Sequence, residues 1–511
     1  MIRTLVIVGA FATGALALAP MTALAADAPS SPAPAAPSDT LLSFHPATIQ
    51  ALDGTTRPAE MGRLWVPETH ARPDGKKINF AFLRLKSRSA STGPPIVFLP
   101  GGPGYPGTFL ARTPEYLRLF ERLSEHSDVI VIDQRGAGLS EPSLQCATRG
   151  SLPPEAFESE ARVASALGAM VRSCVRMMRR DGYAIEAYNT AESVEDLEDL
   201  RRALGVDRLR LLAGSYGTEL ALETIRRHGD RIESAALAGI RGPDMTWRFP
   251  STRDLQLHRL SMLVAADPKW ARTLPDLEGS VRRLIERLRW KPLWVAITDA
   301  KTDQAIRVRV GPVAIQAVVG SDVNEPDWAP MLPAMMASLA AGDSTLFVRR
   351  VEDLFNGTGS GVSIMQIATD CASGASPDRR ARVASEARTA ILGNVKNVFV
   401  NPAFCELAGT PELDASYRTP VASKVRALFL TGSMDAITPP DQAEEVRSRF
   451  PNGTLLVVEN GWHEVLPASD VQSVVSDFFD GKDVQPRKIR LEPLRFLTIE
   501  EAKAVTASDR K

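Results

Sequence analysis

Two separated parts of the chain alternate short apolar runs with amphipathic stretches. Residues 79–85 (NFAFLRL) switch between apolar and polar positions with the period of a half-buried strand. Residues 95–99 (PIVFL) and 129–132 (VIVI) are unbroken apolar runs, the pattern of strands buried on both faces, and 209–213 (LRLLA) is another. A glycine-bearing turn then leads into a helical stretch at 220–227, and 192–204 (ESVEDLEDLRRAL) also has helical spacing. Much later, 427–431 (ALFLT) and 454–458 (TLLVV) repeat the buried-strand signature. Strands alternating with helices predict an α/β fold with a mostly parallel sheet flanked by helices.

Between about 243 and 419 this rhythm is lost. The stretch reads as amphipathic helices, for example 277–288 and 330–339, joined by Pro- and Gly-bearing loops, and shows no internal repeat. Trp247, Trp270, Trp290, Trp294 and Trp328 all fall here. They are expected mainly as the core of a helical insertion, the alternative being that some line a groove.

The N-terminus has a different pattern. Met1-Ile2-Arg3 is a short basic start, Leu5 to Leu18 is apolar and uncharged, and Ala23-Leu24-Ala25 places small residues where a signal peptidase cuts. A signal peptide over 1–25 is expected. A membrane anchor is disfavoured because the run is short and rich in Ala and Gly. Residues 26–40 form a Pro/Ala-rich spacer that has no core to bury.

Composition narrows the classes. With 60 Lys+Arg against 61 Asp+Glu, the net charge of −1 offers no electrostatic reason to bind nucleic acid or an anionic membrane. At 44% hydrophobic residues, the chain can bury a large core. Cys146, Cys174, Cys371 and Cys405 are an even set in a chain expected to be exported, which favours disulfides, with three pairings open. No C-x-x-C or His/Cys cluster is present, so no metal is expected, nor does any motif call for a cofactor.

The chemistry concentrates at Ala213-Gly214-Ser215-Tyr216-Gly217, between a buried strand and a helix. A nucleophilic serine needs such a sharp turn to project its hydroxyl above the sheet, and small flanking residues let the backbone pass closely. Upstream, Pro100-Gly101-Gly102-Pro103-Gly104 follows another buried strand, where glycines can present backbone N–H groups to a carbonyl oxygen. Gly102 and Tyr216 are the expected oxyanion donors. A phosphate-binding loop is disfavoured because no Lys-Ser/Thr follows.

Of the six histidines, His45 and His70 precede the sheet proper, and His126, His228 and His258 sit in helical or turn contexts beside charges. His463 follows the strand at 454–458, where a loop could carry imidazole over Ser215. Asp435 follows the strand at 427–431 and would orient that imidazole, unless it is only a turn residue. The order Ser215, Asp435, His463 is that of the α/β-hydrolases.

Five pieces carry a resemblance to a known family. They are Gly101-Gly102-Pro103-Gly104, the run from Asp133 to Ser140 (DQRGAGLS), Gly214-Ser215-Tyr216-Gly217-Thr218, Asp435 with its Thr-Pro, and His463. The chain resembles the prolyl-aminopeptidase family of α/β-hydrolases, closest to its secreted tripeptidyl-aminopeptidase-like branch. The resemblance runs over roughly 60–245 and 420–480, and more weakly around Cys371 and Cys405. It implies the local pairing Cys146–Cys174 and Cys371–Cys405, and a structural rather than catalytic role for Asp133 and Arg135. It also implies that cap acids hold the substrate's α-ammonium, for which Asp370 and Glu325 are the candidates. Three positions depart from the family pattern: Ala213 for Gly, Pro100 where many members carry His, and Asn460-Gly461-Trp462 before His463.

The expected organisation is an α/β-hydrolase core over 41–242 and 420–482, split by a helical cap at 243–419 and followed by a tail at 483–511. The expected activity is hydrolysis at the N-terminus of short peptides by a Ser-His-Asp triad through an acyl-enzyme. The partner is then a short peptide, without nucleic acid or, after signal cleavage, membrane. The rival readings are an esterase or amidase acting on other substrates, and a non-catalytic binding protein on the same fold.

Overall fold

The computed structural model describes residues 41–89, 93–147, 151–359 and 361–508, so the expected signal peptide and spacer lie outside the described residues. Fourteen strands are present among those residues. They are β1 (Leu42–Gln50), β2 (Thr56–Pro67), β3 (Lys77–Leu85), β4 (Ile96–Leu99), β5 (Val129–Ile132), β6 (Gln145–Ala147) and β7 (Leu209–Gly214). The remainder are β8 (Ile232–Ala238), β9 (Leu293–Asp299), β10 (Gln304–Val310), β11 (Gly361–Ser363), β12 (Arg426–Gly432), β13 (Gly453–Glu459) and β14 (Ile489–Arg490).

Ten of them make one sheet in the order β1-β2-β3-β5-β4-β7-β8-β12-β13-β14. The first three run antiparallel, and from β5 onward all neighbours are parallel. Every residue of β4 and β5 is buried, as their unbroken apolar runs require when helices cover both faces. Two apolar clusters lie on the sheet, one including Val97, Leu99, Ile130 and Leu211, the other Ile96, Phe98, Val129 and Val131. The alternation of β-strand side chains sends successive residues of β4 and β5 into opposite clusters.

A third apolar cluster belongs to the insertion. It gathers the helices Pro250–Ala266, Leu277–Trp290, Pro312–Asp322, Leu332–Ala340 and Thr345–Gly359. The insertion is not wholly helical, because β9 and β10 pair as an antiparallel hairpin. In β9, Val295, Ile297 and Asp299 are buried and their neighbours exposed, a period of two that argues for strand. The outward Trp294 obscures that period in sequence, since Arg307 and Arg309 lie over its ring and keep an apolar residue on the solvent side.

The stretch expected as a tail is also tied down. β14 extends the sheet beside β13, and Phe496 and Ala502 are buried in the insertion's cluster. Disulfides Cys146–Cys174 and Cys371–Cys405 are formed. The first joins β6 to the helix Glu160–Arg180, and the second joins the helices Ile364–Ser373 and Pro402–Ala408. β6 itself pairs with β11, so a core segment and an inserted segment share a ladder.

Candidate active site

β7 ends at Gly214, and the helix Tyr216–His228 starts two residues later. Ser215 between them takes φ 51° and ψ −124°, a backbone state that non-glycine residues rarely adopt, and its N–H bonds the Ala238 carbonyl (2.9 Å). The turn is possible because Gly217 passes β4 closely: a Cβ there would lie 2.0 Å from the Leu99 carbonyl oxygen. Ala213 is an ordinary strand residue paired with Leu99 and Leu237, outside the positive-φ region, so its methyl in place of the usual glycine fits.

His463 reaches Ser215 from the loop after β13. Its Nε2 lies 2.9 Å from Ser215 Oγ, and its Nδ1 lies 2.9 Å from Asp435 Oδ2. Gly239 makes room for the ring, since a Cβ there would sit 2.9 Å from His463 Cε1. The loops after β12 and β13 are laced together by Met434 N–H to the Gly461 carbonyl (2.8 Å) and Asn460 N–H to Ser433 Oγ (2.9 Å). Ser215, Asp435 and His463 are all buried.

Asp435 accepts four hydrogen bonds when the one from His463 Nδ1–H is included. Ile437 N–H (2.7 Å) and Thr438 N–H (2.9 Å) donate to Oδ1, and the Thr438 hydroxyl (2.7 Å) donates to Oδ2. Burial by itself would raise its pKa, but His463 and these donors hold it below the usual carboxylate value. For His463, burial pulls the pKa down, and the charge and hydrogen bond of Asp435 outweigh it, leaving the pKa raised. An acceptor-only carboxylate on Nδ1 puts the neutral ring's proton there and leaves Nε2 to accept from the serine. Thr438 also lies 3.1 Å from Nδ1 and is a member of this network that sequence spacing did not single out.

The loop with Gly101 and Gly102 lies against the serine. A Cβ on Gly101 would be 3.0 Å from Ser215 Cβ, and Gly102 has φ +108°. Gln134 braces that loop from just after β5, donating to the Pro100 carbonyl (2.8 Å) and accepting from Gly104 N–H (3.2 Å). Tyr216 opens its helix, where backbone N–H groups have no intrahelical acceptor. The neighbouring charges are structural. Asp133 accepts from Thr108 and Leu139, and Arg135 forks onto Asp196 (2.7 and 2.6 Å) and bonds the Glu68 and Ala187 carbonyls (both 2.8 Å).

The two candidate ammonium ligands lie in different places. Asp370 Oδ1 accepts from Arg241 Nη2 (2.7 Å), and Arg241 is also ion-paired with buried Glu219. Arg241 N–H bonds the Thr218 hydroxyl (2.8 Å), which itself donates to the Ser215 carbonyl (2.7 Å). Asp370 therefore already pairs with a cation behind the Ser215 turn. Glu325 is buried beside Asn324, whose Oδ1 accepts from Ala436 N–H (2.8 Å), so it does flank the Asp435 loop. Two arginines that sequence reasoning missed, Arg248 and Arg253, sit on the same side. Their signal was weak, because a cation in an amphipathic segment ordinarily faces water. Among the described residues no group of His, Cys, Asp and Glu could hold a metal ion, and no single helix is long and apolar enough to cross a membrane.

Family models match the fold. A family model described as alpha/beta hydrolase fold matches residues 94–288, and one described as TAP-like protein matches 395–487. The chain is 30% identical over 191 residues to a protein named serine protease Hip1 from Mycobacterium tuberculosis, a match covering 36% of each chain. It is 30% identical over 176 residues to a tripeptidyl aminopeptidase from Streptomyces lividans, covering 32% of each. The matched segments thus span only about a third of these relatives' lengths. A solved proline iminopeptidase from Mycobacterium smegmatis is similar at 14% identity and a TM-score of 0.38, over 82% of this chain and 98% of that one.

Proposed function

The chain belongs to the α/β-hydrolases, and on that premise we propose that it is an exported serine peptidase that removes residues or short peptides from the N-termini of peptides. The observation carrying this reading is the buried relay from Asp435 through His463 to Ser215, with both contacts to the imidazole at 2.9 Å. In this reading His463 Nε2 takes the Ser215 proton as Oγ attacks the scissile carbonyl carbon. The oxyanion faces the N–H groups of Gly102 and Tyr216. Collapse of the tetrahedral species expels the leaving amine, which takes the proton from His463. Water then attacks the acyl-enzyme with His463 as base again, releasing the acid and restoring Ser215.

The names of the relatives, serine protease and tripeptidyl aminopeptidase, favour a peptide substrate over an ester. Two disulfides and the signal-like N-terminus support export. The test uses aminoacyl- and tripeptidyl-anilides, free or acetylated at the α-amine, beside p-nitrophenyl esters. An aminopeptidase cleaves the free anilides and loses rate on acetylation. Turnover of esters alone would replace this reading with the esterase one. Ser215→Ala is expected to abolish turnover and fluorophosphonate labelling while the fold persists, and retention of most activity in that variant would remove Ser215 from the mechanism.

A further inference from the structure

The Asp435 loop is gripped from the cap side by three side chains. Gln256 Nε2 donates to the Met434 carbonyl (3.2 Å), Arg259 Nη1 to the Ser433 carbonyl (2.6 Å), and Asn324 Oδ1 accepts from Ala436 N–H (2.8 Å). Arg253 precedes Gln256 by one turn on the buried side of the helix Pro250–Ala266 and is only 5% exposed. Neither of its Nη atoms has a hydrogen-bond partner. The amide nitrogen of Asn324, on a residue 2% exposed, also lacks one.

The charges that face Arg253 are Arg248, Glu325 and Asp435. Asp435 is occupied by His463 and Thr438, and Glu325 does not bring an oxygen within hydrogen-bond reach of either Nη. Arg248, half-buried, is fixed through its backbone: its N–H bonds Asn397 Oδ1 (2.9 Å) and its carbonyl accepts from Asn397 Nδ2 (2.8 Å). Its charge bears on both His463 and Asp435, which places it on the triad's side. Burial brings the pKa of Arg248 down to about 10 and that of Arg253 down to about 9, and each is pushed the same way by a neighbouring arginine.

The unsatisfied groups here are all donors, and two are arms of one planar guanidinium. Such a fork matches a carboxylate, which accepts two parallel N–H bonds and brings the missing charge. We propose that Arg253, with Arg248 and the Asn324 amide, forms a carboxylate-binding subsite on the cap side of the triad. It takes either an acidic side chain of the substrate or the free C-terminal carboxylate of a short peptide. The proposal rests on the peptidase reading for its natural substrate, but not for its test.

Two substrate pairs separate the sources. Glu- and Gln-anilides differ only in a side-chain carboxylate, and short peptides ending in a free acid or an amide differ only at the C-terminus. The carboxylate member of one pair is expected to have kcat/KM higher by about 10-fold or more, mainly through KM. Arg253→Met should bring that ratio close to 1, and Arg253→Lys should retain part of it. No discrimination in the wild-type chain, or a ratio that survives Arg253→Met, would overturn the proposal. Should the chain hydrolyse esters only, glutarate as an inhibitor of p-nitrophenyl acetate hydrolysis reads the same subsite. Loss of that inhibition in Arg253→Met supports the proposal, and no inhibition of the wild-type chain refutes it. Fluorophosphonate labelling of Ser215 in the variant reports an intact site. Because the removed charge is unpaired, the melting temperature is not expected to fall. A large fall with an unchanged substrate ratio would mark Arg253 as structural.

Discussion

At the scale of single residues, the His463–Asp435 contact is expected to set the pH dependence of the proposed activity. The proposed mechanism needs His463 unprotonated at Nε2, and Asp435 raises its pKa above the ordinary 6.5. A raised pKa keeps the imidazole charged to higher pH, so kcat/KM should rise with pH through a midpoint above 6.5. Replacing Asp435 by Asn removes the charge that favours imidazolium. The midpoint should then move to lower pH while the rate falls by on the order of 10³–10⁴. Measuring kcat/KM from pH 5 to 9 for both chains checks this, and an unmoved acid limb would show that another group titrates. The three positions that the fold brings together, Ser215, Asp435 and His463, were legible because each follows a strand in a short loop of recognisable type. Thr438 was visible only as part of a Thr-Pro after Asp435. Its hydroxyl bonds to Asp435 and His463 depend on how the loop folds back, which spacing does not encode.

At the scale of elements, β4, β7 and the helix Tyr216–His228 meet so closely that one methyl decides the fit. In Gly217→Ala the new Cβ would fall 2.0 Å from the Leu99 carbonyl oxygen, a backbone atom held in the sheet. The strand and helix cannot separate without breaking the β4–β7 ladder, so a loss of roughly 3 kcal/mol or more is expected. Ala213→Gly is the contrast: it only loosens a regular strand, at about 0.5–1 kcal/mol. Urea midpoints for the two variants check the difference, and equal midpoints would mean that the close approach carries no strain. Buried parallel strands such as β4 and β5 were plain from sequence because both faces are apolar. The β9–β10 hairpin was not, because outward Trp294 and inward Val295 are both apolar and only the fold separates their faces.

At the scale of the whole molecule, the sequence divided the chain into core, cap and tail, whereas the packing crosses those lines. Leu152 and Phe157 come from before β7, and Phe496 and Ala502 from beyond the last core helix, yet all four are buried in the insertion's cluster. Such contacts join residues a hundred or more apart, a distance at which local pattern carries no information about pairing. The helix Ile499–Ser508 packs on the helices Leu332–Ala340 and Thr345–Gly359, and Leu497 N–H bonds the Pro330 carbonyl (3.0 Å). The helix Ile499–Ser508 thus braces two helices of the cap. Phe496 is 3% exposed, and Phe496→Ala should cost about 3–5 kcal/mol by leaving a cavity. That cost should fall on the cap, because no strand of the sheet contributes to the cluster around Phe496 apart from the β9–β10 hairpin, which lies outside the main sheet. Hydrogen exchange is therefore expected to speed up in Leu332–Ala340 and Thr345–Gly359, with β4, β5 and β7 still protected. Uniform acceleration across sheet and cap would instead show that the two open as one cooperative unit.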